Sequence, residues 1–149
     1  TLKAFILADV TLAPKASGPG YDPQGIADAL NAPASPAWTV WQSALTPDLA
    51  RKGVVGGITQ LDNLTAGKRD ALLYLLAATN DCRVVGVRTA IDDLCGSQNT
   101  LKAAIVAEEK RLARLVEKVL STGTGSDAAP AITTFEGTLS FSDIAQILA

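Results

Sequence analysis

Cys82 and Cys95 are the two thiols of a 149-residue chain that contains no histidine. Two cysteines alone fall short of the four Cys and His ligands that a structural zinc site takes. Both stand in apolar, helix-patterned sequence, so buried free thiols are the expectation; a disulfide between them would imply oxidising surroundings. The missing imidazole removes the commonest general base. Acidic pairs occur at Asp92-Asp93 and Glu108-Glu109, but neighbours on a helix point about 100° apart and make no dyad by themselves. No serine sits in a Gly-x-Ser-x-Gly elbow. The runs GPG (18–20) and GTG (123–125) lack the strand–turn–helix setting of a dinucleotide fingerprint. Gly67-Lys68 lacks the upstream glycine and the following Ser or Thr of a phosphate loop. Asp9, Asp22 and Asp28 could hold a cation only if the fold gathered them. Trp38 and Trp41 are read as core or interface anchors ahead of a ligand platform. No catalytic, cofactor-binding or metal-binding residue is assigned, and no enzymatic activity is expected.

The elements that would position any such group follow from composition and pattern. Apolar residues make up 48% of the chain and charged residues 19%, so a folded core is expected. Aromatic residues are few, which leaves the core to Ala, Leu, Val and Ile, as in packed helices. Thirteen basic and fifteen acidic side chains give a net charge of −2, and the densest basic stretch, Lys110 to Lys118, is diluted by Glu108, Glu109 and Glu117. That balance offers no electrostatic footprint for nucleic acid. No run approaches the ~18 to 20 apolar residues of a membrane span, and the short AFILA run at the N-terminus lacks the form of a secretion signal. The chain reads as soluble and unsecreted, with an initiator methionine removed ahead of Thr1.

Helix signals recur along the chain. Residues 2–9 form a short helix or strand, and 11–21 a Pro- and Gly-rich loop. Asp22 caps a helix that opens on Pro23, and Thr46 caps one that opens on Pro47. Gly53, Gly56 and Gly57 break the chain again. Thr65 caps a helix over 66–79 that is apolar on nearly all sides and is expected at the centre of the body. Residues 83–95 form the next helix, stopped by Gly96. The longest helix is expected over 100–120, with Leu101, Ile105, Leu112, Leu115, Val116 and Val119 recurring at three and four. Residues 37–45 and 131–139 are strand-like and would form a small β element if they pair. Residues 121–130 form a connector. Ser140 and Asp143 make a capping box for a closing helix whose apolar face is Ile144, Ile147 and Leu148. No internal repeat is present. The expected fold is therefore mainly α: a compact bundle of about five to six helices over residues 1–120, with a C-terminal extension, 121–149, that docks on its own core or on a neighbouring subunit.

Two stretches carry a resemblance. In VWQSALTPDLARKGVVGGITQLDNLTAGKRDALLYLL (40–76), Val40, Trp41, Ser43, Leu61, Asp62, Leu64, Thr65, Gly67 and Lys68 fit a pattern found in small virion proteins of tailed bacteriophages. In KVLSTGTGSDAAPAITTFEGTLSFSDI (118–144), Thr122 to Asp127, Pro130, Ala131, Phe135 to Gly137, Leu139 to Phe141, Asp143 and Ile144 resemble the ending of the same family. Where such proteins often carry an aromatic-rich helix and an Asn-Pro-Ser-Lys turn, this chain has LLYLLAATNDCR (72–83). The resemblance implies a virion location at the neck, tail tube, tail tip or fibre attachment. It implies partners among other virion proteins, a homo-oligomer or ring, no cofactor, and action by subunit docking, which needs broad apolar complementarity. The candidate interface residues are Trp38, Trp41, Phe135, Phe141, Ile144, Ile147 and Leu148. The alternative is a free helical adaptor or regulator that binds a host or phage protein.

Overall fold

The structure is a computed structural model that describes residues 1–149. In chain order its elements are α1 (Leu2–Ala8), α2 (Pro23–Asn31), β1 (Thr39–Trp41), α3 (Pro47–Gly56), α4 (Ile58–Leu61), α5 (Ala66–Leu76), α6 (Val85–Cys95), α7 (Asn99–Glu108), β2 (Lys110–Leu112), α8 (Leu115–Val119), β3 (Ser121–Thr122), β4 (Ile132–Thr133) and α9 (Phe141–Leu148). The fold is mainly α with two small two-stranded sheets, β1 with β2 and β3 with β4. The chain forms two compact units: residues 1–40 with 112–149, and residues 41–111. The expected division at residue 120 does not appear. The passages between units fall inside β1 and β2.

The first unit joins both ends of the chain. Asp22 caps α2 by accepting the Gly25 N–H at 2.9 Å, and Pro23 opens the helix where its missing N–H is harmless. Ile26, Ala27 and Leu30 of α2 are fully buried with Ile6, Val116 and Ile144. The closing helix α9 is therefore part of this core rather than a projecting arm. Its capping box forms as expected: Asp143 N–H donates to Ser140 Oγ at 3.3 Å, and Ser140 N–H donates to Asp143 Oδ2 at 2.7 Å. Two long-range ties hold it. The Asn31 amide brackets Leu139, donating to its carbonyl and accepting from its N–H, each at 2.8 Å, and Lys3 Nζ donates to Leu148 O at 2.8 Å.

Residues 37–45 and 131–139, expected to be strand-like with their pairing left open, share only a single parallel bridge, Val40 with Ala131. The residues around β1 take other partners: Trp38 O accepts the Ala113 N–H at 2.8 Å. In turn, β4 pairs antiparallel with β3, with Ser121 opposite Thr133 and Thr122 opposite Ile132.

The second unit packs α3, α5, α6 and α7 around Leu45, Ala50, Leu72, Ile91, Leu101 and Ile105, all fully buried. Thr46 and Thr65 cap α3 and α5, accepting from Leu49 and Lys68 N–H groups. Of Gly53, Gly56 and Gly57, expected as a break, Gly53 lies inside α3, while Gly56 ends that helix and Gly57 is its joint to α4. A β-carbon at Gly53 would stand 2.9 Å from Ile105 Cα, so the missing side chain lets α3 lie almost backbone-to-backbone on α7. The expected helix over 100–120 is divided. α7 stops at Glu108, residues 110–112 are extended, and α8 begins at Leu115. Backbone pairing overrides the helical pattern there, with Gln42 N–H donating to Glu109 O at 2.8 Å. Nor is α5 the buried centre: Leu72 and Leu76 face the core, while Leu73 is 42% and Tyr74 86% exposed.

Candidate functional site

Three places in the fold hold groups with something to offer. The first is a buried polar cluster in the second unit. Glu109 follows the end of α7 and is only 1% exposed, and its Oε1 has no hydrogen-bond partner. Burial raises its carboxyl to about 7, and the Asp92 charge adds to the rise; Arg88, Lys102 and Lys110 oppose it. Lys102 is itself bound to Asp92 at 2.7 Å.

Cys82 and Cys95 are free and fully buried, as expected. Burial pushes the Cys82 thiol to about 12, helped by the charges of Glu109 and Asp81. It pushes Cys95 to about 11, helped by Asp92 and Glu109. Both stay protonated at neutral pH and are poor nucleophiles. Arg88 lies 4.2 Å from the Trp41 ring centroid and donates to Cys82 O. With Glu109 sealed, a solute could meet its carboxyl only if the body opened. No group of three or more Cys, Asp or Glu side chains is placed to hold a metal ion.

The buried Glu117 of the first unit makes the contrast plain. Its Oε2 accepts the Arg114 N–H at 2.8 Å, and Arg114 itself reaches Gly137 O at 2.7 Å. Glu117 is a tied structural carboxylate, whereas Glu109 keeps one oxygen unmatched.

The second place is a groove of about 620 Å³ in the first unit, lined among others by Phe5, Asp9, Trp38, Leu115, Lys118 and Ser121. The Trp38 indole N–H donates to Ser121 Oγ at 2.9 Å. Gly125, at φ +64°, lies so close to the ring that a β-carbon would overlap it. The Thr-Gly-Thr-Gly segment is thus a clamp for Trp38, and its glycines are required by positive φ and close approach.

The third place is apolar surface in the second unit. Leu73 and Tyr74 lie in the last turn of α5, and Val84 and Val85 stand at the start of α6 at 50% and 66% exposure. Leu73 also lines a groove of about 200 Å³ between α3 and α5, with Pro47, Arg51, Val54, Leu76 and Ala77.

The residues expected at an interface are distributed differently. Ile144 is fully buried in the first unit's own core, and Phe135, Ile147 and Leu148 pack half-buried against that core. Phe141 is half exposed. Trp38 packs on Val40, Ala113 and Ala131, while Trp41 packs on the core of the second unit. Asp9, Asp22 and Asp28 do not form a cation site: Asp9 accepts from Thr11 and Leu12, Asp22 caps α2, and Asp28 accepts from Gln24. Glu109 and the α5–α6 surface were missed by the sequence reading. In the sequence Glu109 is only one of an acidic pair on an expected helix, and the end of α7 at Glu108 buries it.

Comparison with protein-family models, with curated proteins and with solved structures finds no match. No helix is long and apolar enough to cross a membrane.

Proposed function

We propose that this chain is a structural component of a tailed-bacteriophage virion, at a tail, neck or fibre-associated position, acting by docking rather than catalysis. Its partners on this reading are other virion proteins, including copies of itself in a ring or other homo-oligomer. The observation that carries it is the exposed apolar surface of the second unit. Leu73, Tyr74, Val84 and Val85 are all exposed within one short stretch of sequence, and Leu73 also lines an apolar groove. Large apolar side chains left open in this number favour a protein partner. The bacteriophage-like motifs add support, because their residues serve architecture: Thr65 caps α5, Gly125 clamps Trp38, and Ser140 with Asp143 caps α9.

The test is mass spectrometry of purified particles together with a Tyr74→Asp, Val85→Asp variant. Fixed stoichiometry in the particle is expected, as is loss of the variant from it while the variant's helical circular dichroism is retained. Absence of the wild-type chain from particles, together with a monomer in sedimentation, would instead favour a free adaptor. Full incorporation of the variant would remove the α5–α6 surface from the proposal.

A further inference from the structure

The groove beside Trp38 lies wholly within the first unit, and nothing above uses it. Its volume of about 620 Å³ falls in the range of small-molecule sites, roughly 300–1,000 Å³. Phe5, Trp38, Leu115 and Val119 supply apolar walls. The indole is fixed before any ligand arrives. Its N–H is held by Ser121 Oγ, and that hydroxyl in turn donates to Lys118 O at 2.8 Å. The Gly125 backbone presses on the ring, and Gly125 O accepts the Thr39 N–H at 2.7 Å. An aromatic platform held this way loses little freedom on binding.

The polar groups of the groove are unequal. Ser121 Oγ is occupied by the two bonds just described. Asp9 Oδ1 already accepts Thr11 N–H at 2.8 Å, Thr11 O–H at 2.6 Å and Leu12 N–H at 3.1 Å. Those bonds hold the Asp9 carboxyl below its usual range, so it is charged at neutral pH. Lys118 Nζ differs: it stands 5.2 Å from the Trp38 ring centroid, a cation–π contact that leaves its N–H donors for another acceptor. The groove therefore offers apolar walls with one cation standing over the Trp38 ring, and the Asp9 charge disfavours ligands with more than one negative group.

We propose that this groove binds a small planar monoanion of the aryl-carboxylate class, its ring among Phe5, Leu115 and Val119 beside Trp38 and its carboxylate on Lys118. The test uses the full chain labelled with nitrogen-15, with the Trp38 indole N–H signal assigned by Trp38→Phe. The probes are indole-3-acetate, its neutral amide, and the cationic tryptamine. Indole-3-acetate is expected to shift the Trp38 signal saturably and leave Trp41 in place. The amide, the amine, and indole-3-acetate on Lys118→Gln are each expected to bind about tenfold more weakly or worse, the loss of one charge-assisted bond. Lys118 is half-exposed, so the variant should keep its thermal midpoint; should it not fold, the three probes on the wild-type chain decide alone. The proposal fails if no saturable shift occurs, if the three probes bind alike, or if a folded Lys118→Gln binds indole-3-acetate as well as the wild type.

Discussion

Gly53 and Ile105 mark a close approach of two helices: a β-carbon at 53 would stand 2.9 Å from Ile105 Cα. Gly57, one helical turn on, meets Leu101 Cα more closely still. Neither glycine has a positive φ, so the constraint is steric. Gly53→Ala and Gly57→Ala should each destabilise the second unit by about 1–3 kcal/mol through overpacking. Gly86→Ala, where a β-carbon meets nothing within 4 Å, should leave stability unchanged or slightly raised. Urea midpoints of the three variants check this, and equal midpoints for all three would refute the close-packing account.

Glu109 sets a pH dependence. Its folded carboxyl titrates near 7 instead of 4.5, so between those values the folded state binds more protons than the unfolded one. Stability contributed by the neutral form is present at pH 4.5 and lost as pH rises through 7. The loss is about 3 kcal/mol at one pKa unit per 1.36 kcal/mol. Glu109→Gln, which cannot ionise, should flatten that slope and be more stable than the wild type at pH 8. Denaturation curves at pH 5, 6.5 and 8 measure it; a variant with the wild-type slope would clear Glu109 of this role.

The closing helix makes another claim testable. Removing residues 121–149 takes Ala131, Thr133 and Ile144 out of the first unit, where each is buried. The truncated chain should lose the first unit's cooperative transition and keep that of the second, whose core lies within 41–111. Ile144→Ala alone should cost about 2–5 kcal/mol. A truncated chain that kept both transitions would restore the picture of a detachable arm.

Cys82 and Cys95 should resist a water-soluble disulfide reagent in the native protein and react together on unfolding, since burial keeps both protonated. Rapid native labelling of either would show that the body opens around Glu109.

Much of the helical fold was legible in local chemistry. Asp22, Thr46, Thr65 and Ser140 each cap the helix expected of them, because a cap needs only an oxygen and a backbone N–H three residues on. What escaped depends on distant partners. The apolar spacing of residues 101–119 is real, yet Gln42 and Trp38 claim the backbone at Glu109 and Ala113 and pull 110–112 straight. Gly53 looked like a breaker because nothing local reveals that α7 lies against it. Tyr74 looked internal because a run of leucines carries no mark of which side a neighbour will cover. The site residues fared similarly. Trp38 was singled out by type, but its clamp comes from Ser121 and Gly125, more than 80 positions away.

The split composition of the first unit bears on how the protein is made. Residues 41–111 leave the ribosome as one uninterrupted stretch and can fold while synthesis continues. Leu2, Ile6 and Ile26 emerge early but must wait for Val116 and Ile144. A nascent chain paused before residue 112 thus holds a finished half beside an unfinished one, with greasy surface bare. Translation speed through the codons for residues 112–149 should then govern the yield of native protein.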